Sequence, residues 1–295
     1  MSMADGNLFI FGMGFSGLAT ARLVRGDYAS IGATVRTEEK AAALRAEGID
    51  AHVFDGETVS DALVAAVKRA THVIQSIPPG TAGDPVITLL RDALVGAERL
   101  AWIGYLSTVG VYGDHDGGWV DETTEPNPLS GRSVERVRAE AEWRILGDER
   151  GIPVALLRLS GIYGPGRNAL VQLAEGTARR LVKPGQIFNR IHVADIATAV
   201  AAAAARKASG VFNVTDDEPA PPQDVVTYAA ELAGYPLPPE IDFATADLPP
   251  MVRSFYGENK RVGNGRLAAD LGVTLAFPTY REGIAALWQD GSWRG

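Results

Sequence analysis

The stretch Leu8-Phe-Ile-Phe-Gly-Met-Gly-Phe-Ser-Gly-Leu-Ala-Thr-Ala-Arg-Leu-Val24 decides the fold of this chain. An apolar run leads into glycines at 12, 14 and 17, spaced G-x-G-x-x-G, and apolar residues at helical spacing follow. A strand, a glycine turn and a helix start form a cradle for a dinucleotide. The first glycine allows the turn, the second admits a pyrophosphate, and the third lets the helix pack on the strand. Because a glycine turn without a ligand can match the same pattern, the remaining chain must support this interpretation.

Strand and helix patterns alternate through the first two thirds of the chain. The predicted strands cover 33–35, 51–54, 72–77, 100–106, 154–158 and 211–214. The predicted helices cover 38–47, 61–70, 84–95, 130–147, 194–207 and 223–233, and Asn264 is expected to cap a further helix to about residue 271. Apolar strands alternating with helices indicate an α/β fold with a doubly wound parallel sheet. We predict a Rossmann domain from 1–165 and 188–215, and a small, discontinuous C-terminal substrate domain from 166–187 and 216–295.

Composition excludes several classes of partner. The chain has 295 residues, 46% of them hydrophobic, and a formal net charge of −8. It therefore lacks the basic character of a nucleic-acid-binding protein, and no apolar run is long enough to cross a membrane. It contains no cysteine and only four scattered histidines, so we expect no metal site. We expect a cytoplasmic protein that binds small molecules.

The end of the second strand bears on the choice of cofactor. An arginine at this place accommodates the 2′-phosphate of NADP, whereas an acid binds the ribose of NAD. The segment Arg36-Thr37-Glu38-Glu39 therefore predicts NADP in preference to NAD, unless Arg36 pairs with one of the two acids and the other serves the ribose. Asp55 either accepts from the adenine amino group or only shapes its Asp-Gly turn. The residues predicted to contact the cofactor are Gly12, Gly14, Phe15, Ser16, Gly17, Arg36, Thr37, Asp55, Ser76, Ile77 and Pro78.

Three later segments resemble a known family. They are Leu106–Gly113 (LSTVGVYG), Arg158–Gly166 (RLSGIYGPG) and Arg190–Ala197 (RIHVADIA), and they resemble, in order, motifs of extended short-chain dehydrogenases/reductases, the NAD-dependent epimerase/dehydratase group. The glycine motif, G-x-G-x-x-G, departs from the G-x-x-G-x-x-G that is usual in this family. Segments 259–267 and 277–283 resemble those of an atypical branch of the family. The resemblance implies binding of NAD(P), chemistry on a nucleotide sugar or a related carbonyl or hydroxyl substrate, and a homodimer formed by the helices at 84–95 and 130–147.

The catalytic pair of this family is missing. Its members carry Tyr-x-x-x-Lys on the helix after the Ser/Thr strand, and the tyrosine transfers the proton that accompanies hydride transfer. Alignment on Pro128 and Gly131 puts Ser130 and Val134 at these positions, with Arg132 and Arg136 on other helix faces. A serine hydroxyl without a nearby cation is a poor acid. The remaining candidates for catalysis are Thr108, Ser107, Tyr163 and His192, with Tyr105 and Tyr112 as further titratable groups.

Three functional interpretations remain open at this point. The protein is an enzyme with a relocated acid or base, a non-catalytic NAD(P) sensor or scaffold, or a structural subunit with a vestigial site. Tyr163 and His192 could equally pack and hydrogen-bond without catalytic roles. Arg158, Arg190 and Arg253 suit a substrate phosphate, and each could instead form an ordinary ion pair.

Overall fold

A computed structural model describes residues 3–295. The strands are β1 (Asn7–Phe11), β2 (Ser30–Val35), β3 (Asp50–Val53), β4 (His72–Gln75), β5 (Trp102–Thr108), β6 (Trp119–Val120), β7 (Val154–Leu159), β8 (Gly161–Tyr163), β9 (Arg180–Val182), β10 (Arg190–His192), β11 (Gly210–Val214), β12 (Glu240–Asp242) and β13 (Arg261–Val262). The helices are α1 (Phe15–Leu23), α2 (Glu38–Ala46), α3 (Asp61–Lys68), α4 (Pro85–Val95), α5 (Gly131–Arg150), α6 (Ala169–Ala174), α7 (Val193–Arg206), α8 (Pro222–Ala233), α9 (Pro250–Phe255), α10 (Gly265–Ala269) and α11 (Tyr280–Gln289).

Seven strands form one parallel sheet in the order β3-β2-β1-β4-β5-β7-β11. Strand β1 lies in the middle of the sheet, and β2 and β3 follow it on one side. The chain then crosses back, and β4 pairs with the other side of β1. The β1/β4 boundary is therefore the point where the winding direction reverses, and ligands of such sheets bind there, beyond the carboxyl ends of the strands. The predicted α/β, doubly wound Rossmann-like fold is confirmed.

A separate apolar core covers each face of the sheet. On one face, side chains of α1, α2 and α7 pack against the sheet around Trp102. On the other face, α3, α4 and α5 do so around Trp143, and both tryptophans are fully buried. The strands between these layers are buried on both sides, which explains why they read as continuous apolar runs.

The segments outside the sheet form smaller units beside its carboxyl edge. The strand pairs β8–β10, β9–β12 and β6–β13 are all parallel, and a third core joins α6, α8 and α11. The division into two domains at the predicted boundaries stays a prediction. Within residues 3–295, no helix has both the length and the apolar character required to span a bilayer.

The predicted helix cap at Asn264 is wrong. Asn264 does precede α10, but its side chain makes no capping hydrogen bond. Its amide nitrogen instead donates to the Thr215 carbonyl and to Asp217 Oδ1, at 2.9 and 2.7 Å. The amide therefore ties α10 to the chain that leaves β11, a long-range contact that local sequence does not reveal.

Candidate functional site

Two of the three motif glycines are required by chain packing. Gly12 has φ +82°, and a Cβ there would lie 2.9 Å from Ile77 Cγ1. A Cβ at Gly17 would lie 3.0 Å from the Gly12 carbonyl oxygen and 3.2 Å from Ile10 Cγ2. Gly12 therefore allows the turn between β1 and α1, and Gly17 allows α1 to lie against that turn and β1.

Gly14 has no such packing reason. A Cβ there would meet only the Gly12 carbonyl oxygen, at 4.0 Å, and its φ of −94° is open to any residue. Gly14 is the N-cap of α1 and provides no side-chain cap for the backbone N–H groups of the first turn, where Phe15 and Ser16 lie. A helix N-terminus with free space before it suits an anion, so the residues present fit a dinucleotide pyrophosphate.

The neighbouring strands hold the turn in place. Thr34 of β2 accepts from the Gly12 N–H at its hydroxyl and from the Met13 N–H at its carbonyl, both at 2.8 Å. On the β4 side, the Ile77 N–H donates to Gln75 Oε1 at 3.0 Å, and the Gln75 amide donates to the fully buried Asp84 carboxylate at 2.8 and 2.9 Å. These bonds fix the segment that carries Ser76, Ile77 and Pro78 against the glycine turn.

Arg36 follows β2 with an exposed side chain. Across the described chain, no ion pair or hydrogen bond is recorded for its guanidinium, and Glu38 pairs with Arg45 instead, at 2.5 Å. The competing interpretation, in which Arg36 pairs with Glu38 or Glu39, is therefore not what the described residues show. Thr37 Oγ1 accepts from the Lys40 N–H at 3.4 Å and caps α2.

Asp55 shapes its turn. Its Oδ1 accepts from the N–H groups of Glu57 and Thr58, both at 2.9 Å, and these bonds lower its pKa. The side chain is exposed beyond the end of β3. The second carboxylate oxygen has no recorded partner in residues 3–295, so turn formation and an adenine contact are compatible.

A cleft of about 960 Å³ opens beyond the carboxyl ends of β4, β5 and β7. Five of the predicted site residues line it: Ser16, Ser76, Ser107, Thr108 and Tyr163. His192 is not among the lining residues. The opposite wall comes from segments that follow β7, including β10, α6 and the chain after α9. The cleft therefore joins the glycine turn to the predicted substrate side.

Ser107 and Thr108 are both in the cleft, but their hydroxyls differ in availability. Ser107 is buried and donates to Glu140 Oε1 at 2.6 Å. Thr108 is half-buried, and its Oγ1 accepts from the Gly110 N–H at 3.1 Å. The Thr108 hydroxyl hydrogen has no recorded acceptor in the described chain, so it is free to donate to a ligand oxygen.

Tyr163 and His192 are held by packing. Burial raises the pKa of Tyr163 far above its ordinary value of 10. His192 Nδ1 accepts from the Ala194 N–H at 3.2 Å and caps α7, while the ring packs between Tyr163 and Phe277, with centroids 5.1 and 4.2 Å away. Burial lowers the pKa of His192 to about 4, so this imidazole is neutral at pH 7.

Helix α5 presents Arg136 to the cleft rather than the residues aligned with the family pair. Ser130 caps α5 by accepting from the Ser133 N–H at 3.2 Å, and neither Ser130 nor Val134 lines the cleft. Arg136 lines it, and its Nη1 donates to the Leu106 carbonyl at 2.6 Å. Arg136 lies on a different face of α5 from Ser130 and Val134, as its spacing in the sequence predicts. The face of α5 that carries Arg136 meets the cleft. Glu140 lies one turn later on the same face, and this pair of charged residues at i and i+4 is the feature of the sequence that could have identified the face.

The three arginines that the sequence suggested for a substrate phosphate differ in their burial and in their hydrogen-bond partners. Arg158 is 1% exposed and donates twice to Glu140, at 2.7 and 3.0 Å, so of the two alternatives for this residue the structure contains the ion pair. Arg253 donates to the Ala246 carbonyl at 2.9 Å and its guanidinium lies over a phenylalanine ring, at 5.2 Å from the centroid. Arg190 does line the cleft, where its Nη1 donates to the carbonyls of Phe188 and Ala220.

The cleft is basic although the whole chain is acidic. Its ionisable lining comprises five cationic side chains, Arg136, Arg167, Arg179, Arg190 and Lys260, against the two acids Glu175 and Glu258. Such a wall favours an anionic ligand. Among residues 3–295 no cluster of His, Cys, Asp and Glu has the arrangement of a metal site.

Comparison with known proteins agrees with the geometry. Residues 10–215 match the model of the NAD dependent epimerase/dehydratase family. The chain belongs to this family. The matched segment runs from the glycine turn through the Thr108 strand to the end of β11, and so contains both the cofactor cradle and the proposed reaction centre.

Several similar proteins align with this chain over nearly its whole length. A conserved protein of unknown function from Silicibacter pomeroyi is 46% identical, with a TM-score of 0.87 over 97% of this chain and 99% of that one. Protein YeeZ of Escherichia coli K12 is 28% identical over 91% of this chain and 95% of its own. UDP-N-acetylglucosamine 4-epimerase of Bacillus cereus shares the fold, with 16% identity and a TM-score of 0.78 over 99% of this chain and 100% of that one.

Proposed function

We propose that the protein is an NAD(P)-dependent epimerase, dehydratase or reductase that acts on a nucleotide sugar or a related anionic carbonyl or hydroxyl substrate. The single observation that carries this proposal is the continuous cleft. It starts beside Ser16 and Ser76, passes the free Thr108 hydroxyl, and ends at a basic wall that includes Arg190. A dinucleotide on the first part and an anionic substrate on the last part would meet near Thr108.

The chain supplies binding and orientation, and bound NAD(P) exchanges the hydride. The N-terminus of α1 would hold the pyrophosphate, and the Thr108 hydroxyl would donate to the reacting oxygen of the substrate. Arg36 has no protein partner in the described chain and would meet a 2′-phosphate, which supports NADP over NAD. Replacing Arg36 by Gln is expected to reduce the ratio of NADP to NAD affinity at least tenfold, because a charged hydrogen bond contributes about 1.5–3 kcal/mol.

A second candidate function is a sensor or scaffold that binds NAD(P) without turnover. It is favoured by Ser130, whose hydroxyl is used as a helix cap where the family has its acid. Tyr163 and His192 remain proposals for proton transfer, and Tyr163 is the one of the two that faces the cleft. The two functions differ in whether reduced or oxidised cofactor is converted when a substrate is present.

The cofactor site is tested with Gly14→Asp, because Gly14 has open space before it. The fold has room for the new side chain, but the added carboxylate would occupy the place of the pyrophosphate. Calorimetry with NADP and NAD is expected to show binding to the wild type and none to this variant. The matched control is Gly26→Asp, at a loop glycine that also has open surroundings. Unchanged affinity of Gly14→Asp would refute the proposed cradle.

Turnover is tested with a panel of nucleotide sugars and oxidised or reduced cofactor. Cofactor absorbance and separation of product isomers detect reduction, oxidation and epimerisation. Loss of turnover in Thr108→Val, with cofactor affinity retained, would support the enzyme. Tight cofactor binding with no conversion on the whole panel would favour the sensor.

The proposed homodimer has support in exposed apolar side chains. Leu89 and Val95 of α4 and Ile145 of α5 are 38, 39 and 54% exposed on adjacent helices. Burial of these side chains against a second copy would remove them from water.

A further inference from the structure

Arg136 is a fixed cation at the carboxyl end of β5. Its Nη1 donates to the Leu106 carbonyl at 2.6 Å and approaches Tyr105 Oη at 3.4 Å, and its guanidinium lies 5.8 Å from the centre of the Tyr105 ring. In residues 3–295 no protein partner is recorded for Nε or Nη2. A guanidinium has five N–H donors, so most of them are available to a ligand in the cleft that Arg136 lines.

The order of strands determines which part of a dinucleotide would reach this cation. The proposed pyrophosphate site is at the end of β1, and Arg36 and Asp55 lie on the β2 and β3 side of it. If these two residues meet the adenosine half, that half would extend toward β3, and the nicotinamide half would extend the other way across β4. Leu106 is in β5, two strands from β1, which corresponds to roughly 10 Å at the usual spacing of ~4.8 Å.

Local contacts hold Arg136 in this position. Ser107, the next residue after Leu106, donates to Glu140, which lies one turn after Arg136 on the same face of α5. Glu140 is in turn fixed by the buried Arg158. Two successive turns of α5 are thus hydrogen-bonded to β5, and the Arg136 guanidinium is held at the Leu106 carbonyl in the cleft that Thr108 also lines.

We propose that Arg136 binds the ribose hydroxyls of the nicotinamide half of the cofactor, from the same helix on which the apolar Val134 takes the place of the family's lysine. This inference rests on the proposed function, because it requires a dinucleotide in the cleft. Arg136 is here a binding residue: it cannot act as a base, and its role is to hold the cofactor in register with Thr108.

The test compares each cofactor with the same molecule lacking the nicotinamide riboside half. Calorimetry measures NADP against 2′-phospho-ADP, and NAD against ADP, for the wild type and for Arg136→Met. The variant is expected to bind NADP or NAD at least tenfold more weakly and to bind ADP and 2′-phospho-ADP with unchanged affinity, because only the complete cofactors carry the ribose that reaches the guanidinium.

Two further variants complete the design. Arg136→Lys retains a cation and a donor for the Leu106 carbonyl, but it has three donors instead of five and lacks the planar fork, so an intermediate loss is expected. Arg138→Met removes an exposed arginine from the same helix, and full affinity for all four ligands is expected.

Each outcome decides a different claim. Equal weakening of the truncated and complete ligands by Arg136→Met, or weakening of neither, would overturn the role of Arg136 while leaving the cofactor site intact. Failure of the wild type to bind any of the four ligands would reject the proposed function, and the inference with it. If Arg136→Met does not fold, Arg136→Lys must still lose affinity for the complete cofactors only.

Discussion

The pair Glu140–Arg158 is expected to behave as a buried, coupled unit. Both side chains are only 2% exposed, and they are joined by two hydrogen bonds of 2.7 and 3.0 Å. Glu140→Leu would leave the Arg158 guanidinium buried without its carboxylate and the Ser107 hydroxyl without its acceptor. Loss of one partner from a buried ion pair costs about 3–5 kcal/mol, so this is the expected decrease in the free energy of unfolding.

The loss of stability in Glu140→Leu is compared with that of a variant of Arg158 and of the double variant. Arg158→Met should cost less than Glu140→Leu, because the remaining carboxyl can take up a proton and still accepts from Ser107. The double variant Glu140→Leu/Arg158→Met removes both charges together. Its unfolding free energy should lie within about 2 kcal/mol of the wild type, since apolar replacement of a whole buried pair is often nearly neutral.

Urea unfolding of the four proteins measures these differences from the midpoints, provided that the m values agree. A coupling energy of about 2 kcal/mol or more is expected from the cycle. A loss below about 1 kcal/mol in Glu140→Leu, or a double variant as unstable as the sum of the single ones, would refute the argument that the buried charges are mutually dependent.

The remaining predictions concern the turn, the buried imidazole and the dimer. Gly12→Ala should destabilise the fold by about 1–3 kcal/mol in urea unfolding, because of its positive φ and the contact with β4, whereas Gly14→Ala should cost less than about 1 kcal/mol. His192 has a folded pKa of about 4 against an ordinary 6.5, so the unfolded state binds the extra proton and stability falls as pH is lowered from about 6.5 to 4. His192→Asn, which can still cap at Ala194, should reduce that fall by up to about 3 kcal/mol when its unfolding is compared with wild type at each pH; parallel profiles would contradict this. Ile145→Glu should convert a dimer to monomer in light scattering, and an unchanged mass would count against the α4–α5 interface.

The fold was predictable because its signals are local. Buried parallel strands are apolar throughout, and helices such as α4 begin at recognisable caps, here Asp84, which accepts from two backbone N–H groups. Helix α11 is not among the predicted helices, although Thr279 and Glu282 form a capping box at its start. The predicted cap at Asn264 was wrong because its side chain, although of a type suited to capping, forms hydrogen bonds with Thr215 and Asp217 instead.

The cofactor cradle was more predictable than the reaction centre, for a physical reason. Gly12 and Gly17 act through the backbone, and the spacing of a turn between a strand and a helix leaves little freedom. The reaction centre depends on which face of α5 meets β5, and a change of two residues along the helix turns the side chain by roughly 200°. Alignment placed Val134 at the family lysine, whereas Arg136 is the residue of that helix that reaches the Leu106 carbonyl.

Because the glycine turn and helix α5 are separate parts of the site, the absence of the Tyr-Lys pair from α5 does not argue against binding of a cofactor at the turn. The proposed pyrophosphate site consists of backbone and open space at Gly14, and neither depends on α5. Helix α5 contributes the Arg136 guanidinium, which donates to the Leu106 carbonyl, and the Glu140 carboxylate, which accepts from Ser107 and Arg158. Both side chains orient neighbouring groups, and an arginine does not act as an acid or base in proteins. If turnover occurs, we expect its proton to come from Tyr163, which lines the cleft, from His192, from a substrate group or from water. Conversion that survives in Tyr163→Phe would exclude the first of these and leave the other three.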